Sequence, residues 1–293
     1  MIQKKKKQQN KDKFFSFSWG SQSRNTIQNK KKAVLIGINY TGTDSELSGC
    51  INDVLHLKEV LIEQYGYKEP NITILTDDTP LKPTCNNIIK ALYSLVFDAI
   101  REDLEEVWIS YSGHGYYTKD DDGEEKDNKD EVIIPLDYEK HGVVSDDLLN
   151  DILKKLPMKT QCICLMDCCH SGTIMDLKYK YIKNDQSIKE NDEDMDADII
   201  MISGCRDDQT SADAYSVDQA TKGKYTGAMT SSFLNILRKY NYNITCQVLI
   251  NEMREFLKTN DYEQVPQITS SLPILNTTIF SLNSNKKTYL EHK

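Results

Sequence analysis

Four short runs in this chain are apolar at nearly every position: residues 33–38 (AVLIGI), 107–111 (VWISY), 162–166 (CICLM) and 199–203 (IIMIS). A strand with one wet face alternates apolar and polar residues, whereas a strand covered on both faces reads as a continuous apolar run. The four runs therefore predict buried strands. Helical periodicity lies between and after them, at 52–65, 84–102, 146–153, 226–240 and 246–259. The longest of these segments places Ile88, Leu92, Leu95, Val96 and Ala99 on one face. Shorter strands are predicted at 72–75, 132–135 and 277–282. Strands alternating with helices give an α/β fold with a mostly parallel central sheet and helices on both faces.

In such a sheet the ligand site lies beyond the carboxyl ends of the strands. Two reactive sequences fall at that place. Gly113-His114-Gly115 follows the 107–111 run, and Asp167-Cys168-Cys169-His170-Ser171-Gly172 follows the 162–166 run. A thiol attacks only as thiolate, and a nearby histidine supplies the base. The same histidine, once protonated, hands its proton to the leaving amine. Acyl transfer also needs amide donors aimed at the developing oxyanion. Glycines beside His114 and after Cys169 leave the backbone open to a substrate. Either sulfur of the Cys168–Cys169 pair satisfies this chemistry.

These residues resemble the two signatures of the metacaspases, Tyr111-Ser112-Gly113-His114-Gly115 and the Asp167–Gly172 stretch. The resemblance extends to Leu47-Ser48-Gly49-Cys50-Ile51-Asn52-Asp53-Val54, to Ile133-Ile134-Pro135-Leu136-Asp137 and to residues 203–213 (SGCRDDQTSAD). His114 precedes Cys169 by 55 positions, close to the roughly 50 of caspase-type enzymes. The resemblance implies a caspase-like three-layer sandwich and an endopeptidase that cleaves after Arg or Lys, often with calcium. Within it, His114 is the general base and acid. Cys169 is the nucleophile by its place in the motif, and the backbone amides of Gly115 and Cys169 hold the oxyanion. Asp53, Ser112 and Asp167 match positions lining the pocket for the residue before the cut, where two carboxylates suit a guanidinium or ammonium. A calcium site maps onto Asp130, Asp146, Asp147 and Asp176, consistent with that ion's demand for several carboxylate oxygens. The loop Asp120-Asp121-Asp122-Gly123 is not an EF-hand, because Lys129 stands where the loop-closing Glu is needed.

Net charge narrows the partners. Residues 1–32 carry nine Lys and one Arg against one Asp, so +9, and the chain's net −9 leaves −18 for the rest. A body this acidic argues against nucleic acid and suits basic peptides or divalent cations. No apolar run reaches the 18 residues of a membrane span, and no signal-peptide core is visible, so the expected compartment is the cytoplasm. The eight cysteines are expected to be reduced there.

The expected organisation is a basic, disordered extension over 1–31, a peptidase domain over 32–283 and a tail over 284–293. A flexible linker at about 178–197 offers Lys178, Lys180 and Lys183 as self-cleavage sites. The resemblance implies a monomer. Two other readings stand beside the peptidase: a catalytically weak scaffold of the same fold in aggregate control, and a zinc-binding module built on Cys162, Cys164, Cys168, Cys169 and His170.

Overall fold

The computed structural model describes residues 30–119, 129–168, 177–181, 187–189, 196–204, 213–215, 225–274 and 278. In chain order it begins β1 (Lys31–Gly37), α1 (Cys50–Glu63), β2 (Ile72–Thr76), α2 (Cys85–Glu102) and β3 (Glu106–Ser112). A small antiparallel sheet follows, formed by β4 (Gly115–Lys119), β5 (Lys129–Ile133) and β6 (Val144–Ser145), with the short α3 (Tyr138–His141) between the last two. Next come α4 (Asp146–Leu153), β7 (Gln161–Asp167), β8 (Tyr179–Tyr181), β9 (Ser187–Lys189) and β10 (Asp198–Ser203). The chain continues through the ribbon β11 (Asp213–Tyr215) and β12 (Tyr225–Gly227), then α5 (Ala228–Lys239), α6 (Cys246–Thr259) and β13 (Gln267–Ser270).

The main sheet runs β2-β1-β3-β7-β10-β13-β8-β9. Its first five strands are parallel to one another, and the last three join antiparallel. The continuous apolar runs are explained by strict alternation between two cores. Val34, Ile36, Val107, Ile109, Cys162, Cys164, Ile199 and Met201 face α2 and α4. Ala33, Leu35, Trp108, Ile163, Leu165, Ile200 and Ile202 face α1, α5 and α6. Both faces are dry, so no strand position needs to be polar. Thr84, Ser145 and Thr245 cap α2, α4 and α6, each hydroxyl accepting an amide of the first turn.

Two expectations change. The segment read as a helix from 226 starts as strand β12, and α5 begins at Ala228. Of the strand expected at 277–282 only Thr278 is described, in an isolated bridge to Thr245, and the rest lies outside the described residues; among those residues the last strand is Gln267–Ser270. Gln267–Ser270 (QITS) is buried between β10 and β8, yet three of its four residues are polar, so it carries almost no apolar signal. Within the stretch read as a linker, Tyr179–Tyr181 pairs with β13 on one side and β9 on the other. Lys180 is therefore locked in a ladder, a poor substrate for a protease that needs an extended, unpaired chain. Lys183 lies outside the described residues.

Candidate active site

β3 and β7 lie side by side in register, with Ser112 opposite Asp167. The ladder continues one step further, since the Gly113 amide donates to the Asp167 carbonyl at 3.3 Å. His114 and Cys168 thus emerge together at the carboxyl end of the sheet, where the sequence places them. Cys169 and Asp176 lie outside the described residues.

His114 is half-buried and held from several directions. Its Nε2 is 2.8 Å from the carbonyl oxygen of Ser45. A carbonyl only accepts, so this contact fixes the proton on Nε2 and leaves Nδ1 as the basic nitrogen. The imidazole lies against the Tyr40 ring, with centroids 4.8 Å apart. Two buried phenols fix its backbone. The Tyr40 hydroxyl accepts the His114 amide at 3.1 Å and donates to the Ile134 carbonyl at 2.6 Å. The Tyr111 hydroxyl donates to the His114 carbonyl at 2.7 Å and accepts the Ile134 amide at 3.2 Å. Burial pushes both phenols far above their ordinary range, so they stay protonated and keep these donor roles.

This network also explains Gly113. A Cβ there would stand 2.7 Å from the Tyr111 hydroxyl oxygen and 3.1 Å from that of Tyr40. The glycine is required by two phenols packed against the backbone, in addition to any opening toward a substrate.

The residues expected to receive a basic side chain come together from three elements. Asp53 sits in the first turn of α1, Ser112 at the end of β3 and Asp167 at the end of β7, each 2–4% exposed. Ser112 Oγ donates to Asp53 Oδ2 at 2.6 Å. The Gly227 amide donates to both oxygens of Asp53, at 2.9 and 3.1 Å. The Thr230 amide and hydroxyl donate to Asp167 Oδ2 at 2.9 and 2.8 Å. Each of these donors is a neutral group. A Cβ on Gly227 would overlap Asp167 Oδ2 and stand 2.9 Å from Asp53 Oδ2, so both carboxylates press on that one residue.

Of the calcium candidates, Asp130 lies on β5 and Asp146 and Asp147 open α4. The Val132–Ser145 pairing brings the two segments together. Asp146 is buried and Asp147 exposed, with the Asp147 amide donating to Asp146 Oδ1 at 3.0 Å. Their oxygens have the hard-ligand chemistry of a calcium site. Among the described residues, however, no three His, Cys, Asp or Glu side chains are grouped to hold a metal.

Cys162, Cys164 and Cys168 are fully buried in the core beneath α2 and α4. The Cys162 thiol is pushed well up by the Cys164 sulfur, 3.6 Å away, and by burial. Among the described residues these cysteines form no group of three ligands able to hold a metal, which weighs against the metal-module reading.

Sequence reasoning missed Ser45, Tyr40, Tyr111, Gly227 and Thr230. Ser45 contributes a main-chain carbonyl, which every residue carries, so nothing in its identity signals the role. Gly227 and Thr230 meet the acidic pair only because α5 folds back over α1.

A parallel sheet flanked by helices, with a histidine and a cysteine at adjacent strand ends, defines a caspase-like fold. A caspase-1 structure from Spodoptera frugiperda has this fold, with a TM-score of 0.52 and 13% identity over 86% of this chain and 91% of that one. Protein GSU0716 from Geobacter sulfurreducens also has it, with a TM-score of 0.61 and 22% identity over 86% and 98%. The chain belongs to the metacaspase family: residues 31–178 match the metacaspase, peptidase C14 domain. It is 37% identical to Metacaspase-1A of Neurospora crassa over 84% of this chain and 63% of the relative. It is 38% identical to Metacaspase-1 of Debaryomyces hansenii over 83% and 65%, and 34% identical to Metacaspase-1 of Schizosaccharomyces pombe over 85% and 69%. The chain thus spans about two thirds of the length of these relatives.

Proposed function

We propose that the chain is a cysteine endopeptidase that cleaves after Arg or Lys and is activated by calcium. The observation that carries the reading is His114, oriented by Ser45 at the end of the strand neighbouring the one that leads into Cys169. Nδ1 of His114 takes the Cys169 proton, and the thiolate attacks the scissile carbonyl carbon. The amides of Gly115 and Cys169 receive the oxyanion. His114 then protonates the leaving amine, the C–N bond breaks, and a thioester remains on Cys169. Water, deprotonated by His114, hydrolyses the thioester and restores the thiol.

Burial of Cys168 supports Cys169 as the attacking residue, because a thiol with no exposed surface meets no substrate. The Asp53–Asp167 pair supports the basic preference. A guanidinium or ammonium beside two carboxylates makes charge-assisted hydrogen bonds that an acidic or apolar side chain cannot. Asp130, Asp146, Asp147 and Asp176 would supply oxygen ligands to calcium, which when bound contributes positive charge and order to their loops. Substrates are peptides or proteins, and the acting unit is a monomer. No helix among the described residues is long and apolar enough to cross a membrane.

The test is hydrolysis of fluorogenic peptides ending in Arg, Lys or Asp, with and without calcium, by the wild-type chain, Cys169→Ala and His114→Ala. Calcium-dependent cleavage after Arg and Lys, lost in both variants, is expected. Cleavage only after Asp, or activity surviving Cys169→Ala, overturns the reading. Asp146→Asn combined with Asp147→Asn should raise the calcium concentration needed; an unchanged requirement removes those residues from the site.

A further inference from the structure

We propose that Asp77 is a positioning residue for His114, acting through the left-handed backbone of Tyr40. The inference rests on the reading of His114 as the catalytic base. Tyr40 sits at φ 52° and is 1% exposed. A residue with a Cβ adopts that conformation rarely, and it persists only where its surroundings over-determine it. Asp77, in the turn after β2, supplies the restraint. Its Oδ1 accepts the Asn39 amide and its Oδ2 accepts the Thr41 amide, each at 2.9 Å. One carboxylate therefore clamps the amides on either side of Tyr40, through bonds that its charge strengthens.

The strained residue is the hub of the contacts on His114. Its ring packs on the imidazole, its hydroxyl accepts the His114 amide, and the loop it begins returns the Ser45 carbonyl to Nε2. That loop is closed on the same hub. The Tyr40 carbonyl accepts the Thr43 amide and hydroxyl at 3.1 and 2.7 Å, and the Asn39 carbonyl accepts the Leu47 amide at 2.7 Å. Relaxation of Tyr40 toward negative φ would swing ring and loop together, so the restraints on His114 would fail as a set. Asp77 itself bonds the loop and not the imidazole.

The experiment uses the full chain with Asp77→Ala, Asp77→Asn and Tyr40→Phe. It reads kcat and KM separately, together with the 15N spectrum of histidine-labelled protein. The chain has five histidines, and His114 is identified as the signal missing in His114→Gln. In the wild type, His114 should show a single tautomer with the proton on Nε2. Asp77→Ala should show mixed tautomers and a kcat lowered by about 10- to 100-fold, with KM within about twofold, because the loss is one of orientation. Asp77→Asn keeps one acceptor and should fall between. Adding Tyr40→Phe to Asp77→Ala should cost less than the product of the separate effects, because both act on one hub.

A folded Asp77→Ala with one Nε2-protonated tautomer and unchanged kcat overturns the proposal. So does a loss of activity with the tautomer still fixed, which would mark plain destabilisation. If Asp77→Ala does not fold, Asp77→Asn carries the same two measurements and decides. If the wild type cleaves nothing, or His114→Gln stays active, the function proposed above fails, whereas the tautomer result still decides whether Asp77 orients the ring.

Discussion

Ser112 donates its hydroxyl proton to Asp53 at 2.6 Å, and the same serine stands directly across the β3–β7 ladder from Asp167. The two carboxylates therefore share one buried corner, both pressing on Gly227. Asp53→Asn keeps the shape and removes half of that charge. It should cost Arg- and Lys-ending peptides about 2 kcal/mol or more of transition-state binding, roughly 30-fold or more in kcat/KM. The melting temperature should hold or rise, because like charges in a buried site repel. Steady-state kinetics and calorimetry on one preparation check this. A large fall in melting temperature alongside the lost activity would make Asp53 a structural residue.

Cys168 and Cys169 are adjacent and separable. Cys168 is fully buried in the core that holds Met166 and Cys164, close to the two phenols that hold His114. Cys168→Ala should keep kcat within about fivefold and lower stability by about 1 kcal/mol from lost packing. Cys169→Ala should abolish turnover with stability unchanged. Thermal melts beside active-site titration check the pair, and the reverse pattern would transfer the nucleophile to Cys168.

Gly227 is a steric keystone over the acidic corner. A methyl group there has to displace the Asp167 carboxylate, which the Thr230 amide and hydroxyl hold in place. Gly227→Ala should destabilise by about 1–3 kcal/mol, as overpacking against a fixed group does. It should also impair cleavage after Arg more than Asp53→Asn does, since it disturbs both carboxylates. Urea denaturation and kcat/KM read the two effects, and a fully stable Gly227→Ala would contradict the packing described.

Tyr40, Tyr65, Tyr67 and Tyr111 are all raised well above the usual phenol range, with burial the largest cause. A raised folded-state value means that the stability these groups contribute is intact below pH ~10. Above that, the unfolded chain releases phenolic protons that the folded chain keeps, so stability falls as pH rises, by about 1.4 kcal/mol per pH unit for each tyrosine. Alkaline unfolding should begin above pH ~10. Tyrosinate absorbance of the buried set should appear together with loss of near-ultraviolet dichroism. Ionisation of these phenols in a protein still folded would argue against the buried network.

Much of the fold was legible because dry strands write themselves as apolar runs. The alternation of Val34 and Ile36 toward one core with Ala33 and Leu35 toward the other is what a run such as AVLIGI means physically. The helix stripes were legible for a similar local reason, and the stripe on α2 is the predicted one. Strand β13 was not, because three of its four residues are polar and its burial comes from β10 and β8 beside it. The β8 pairing was hidden by the charge of the stretch around it.

The sequence by itself determined the layered α/β fold, the strand ends at which His114 and the Cys168–Cys169 pair emerge, and the family. These depend on periodicity and on side-chain identity, which are local. Only the tertiary structure decided which atoms hold His114, and how Asp53, Ser112 and Asp167, up to 114 positions apart in the chain, meet under Gly227. Those contacts depend on main-chain carbonyls, amides and a strained φ at Tyr40, and such groups acquire a role only when the folded chain brings distant segments within hydrogen-bond range.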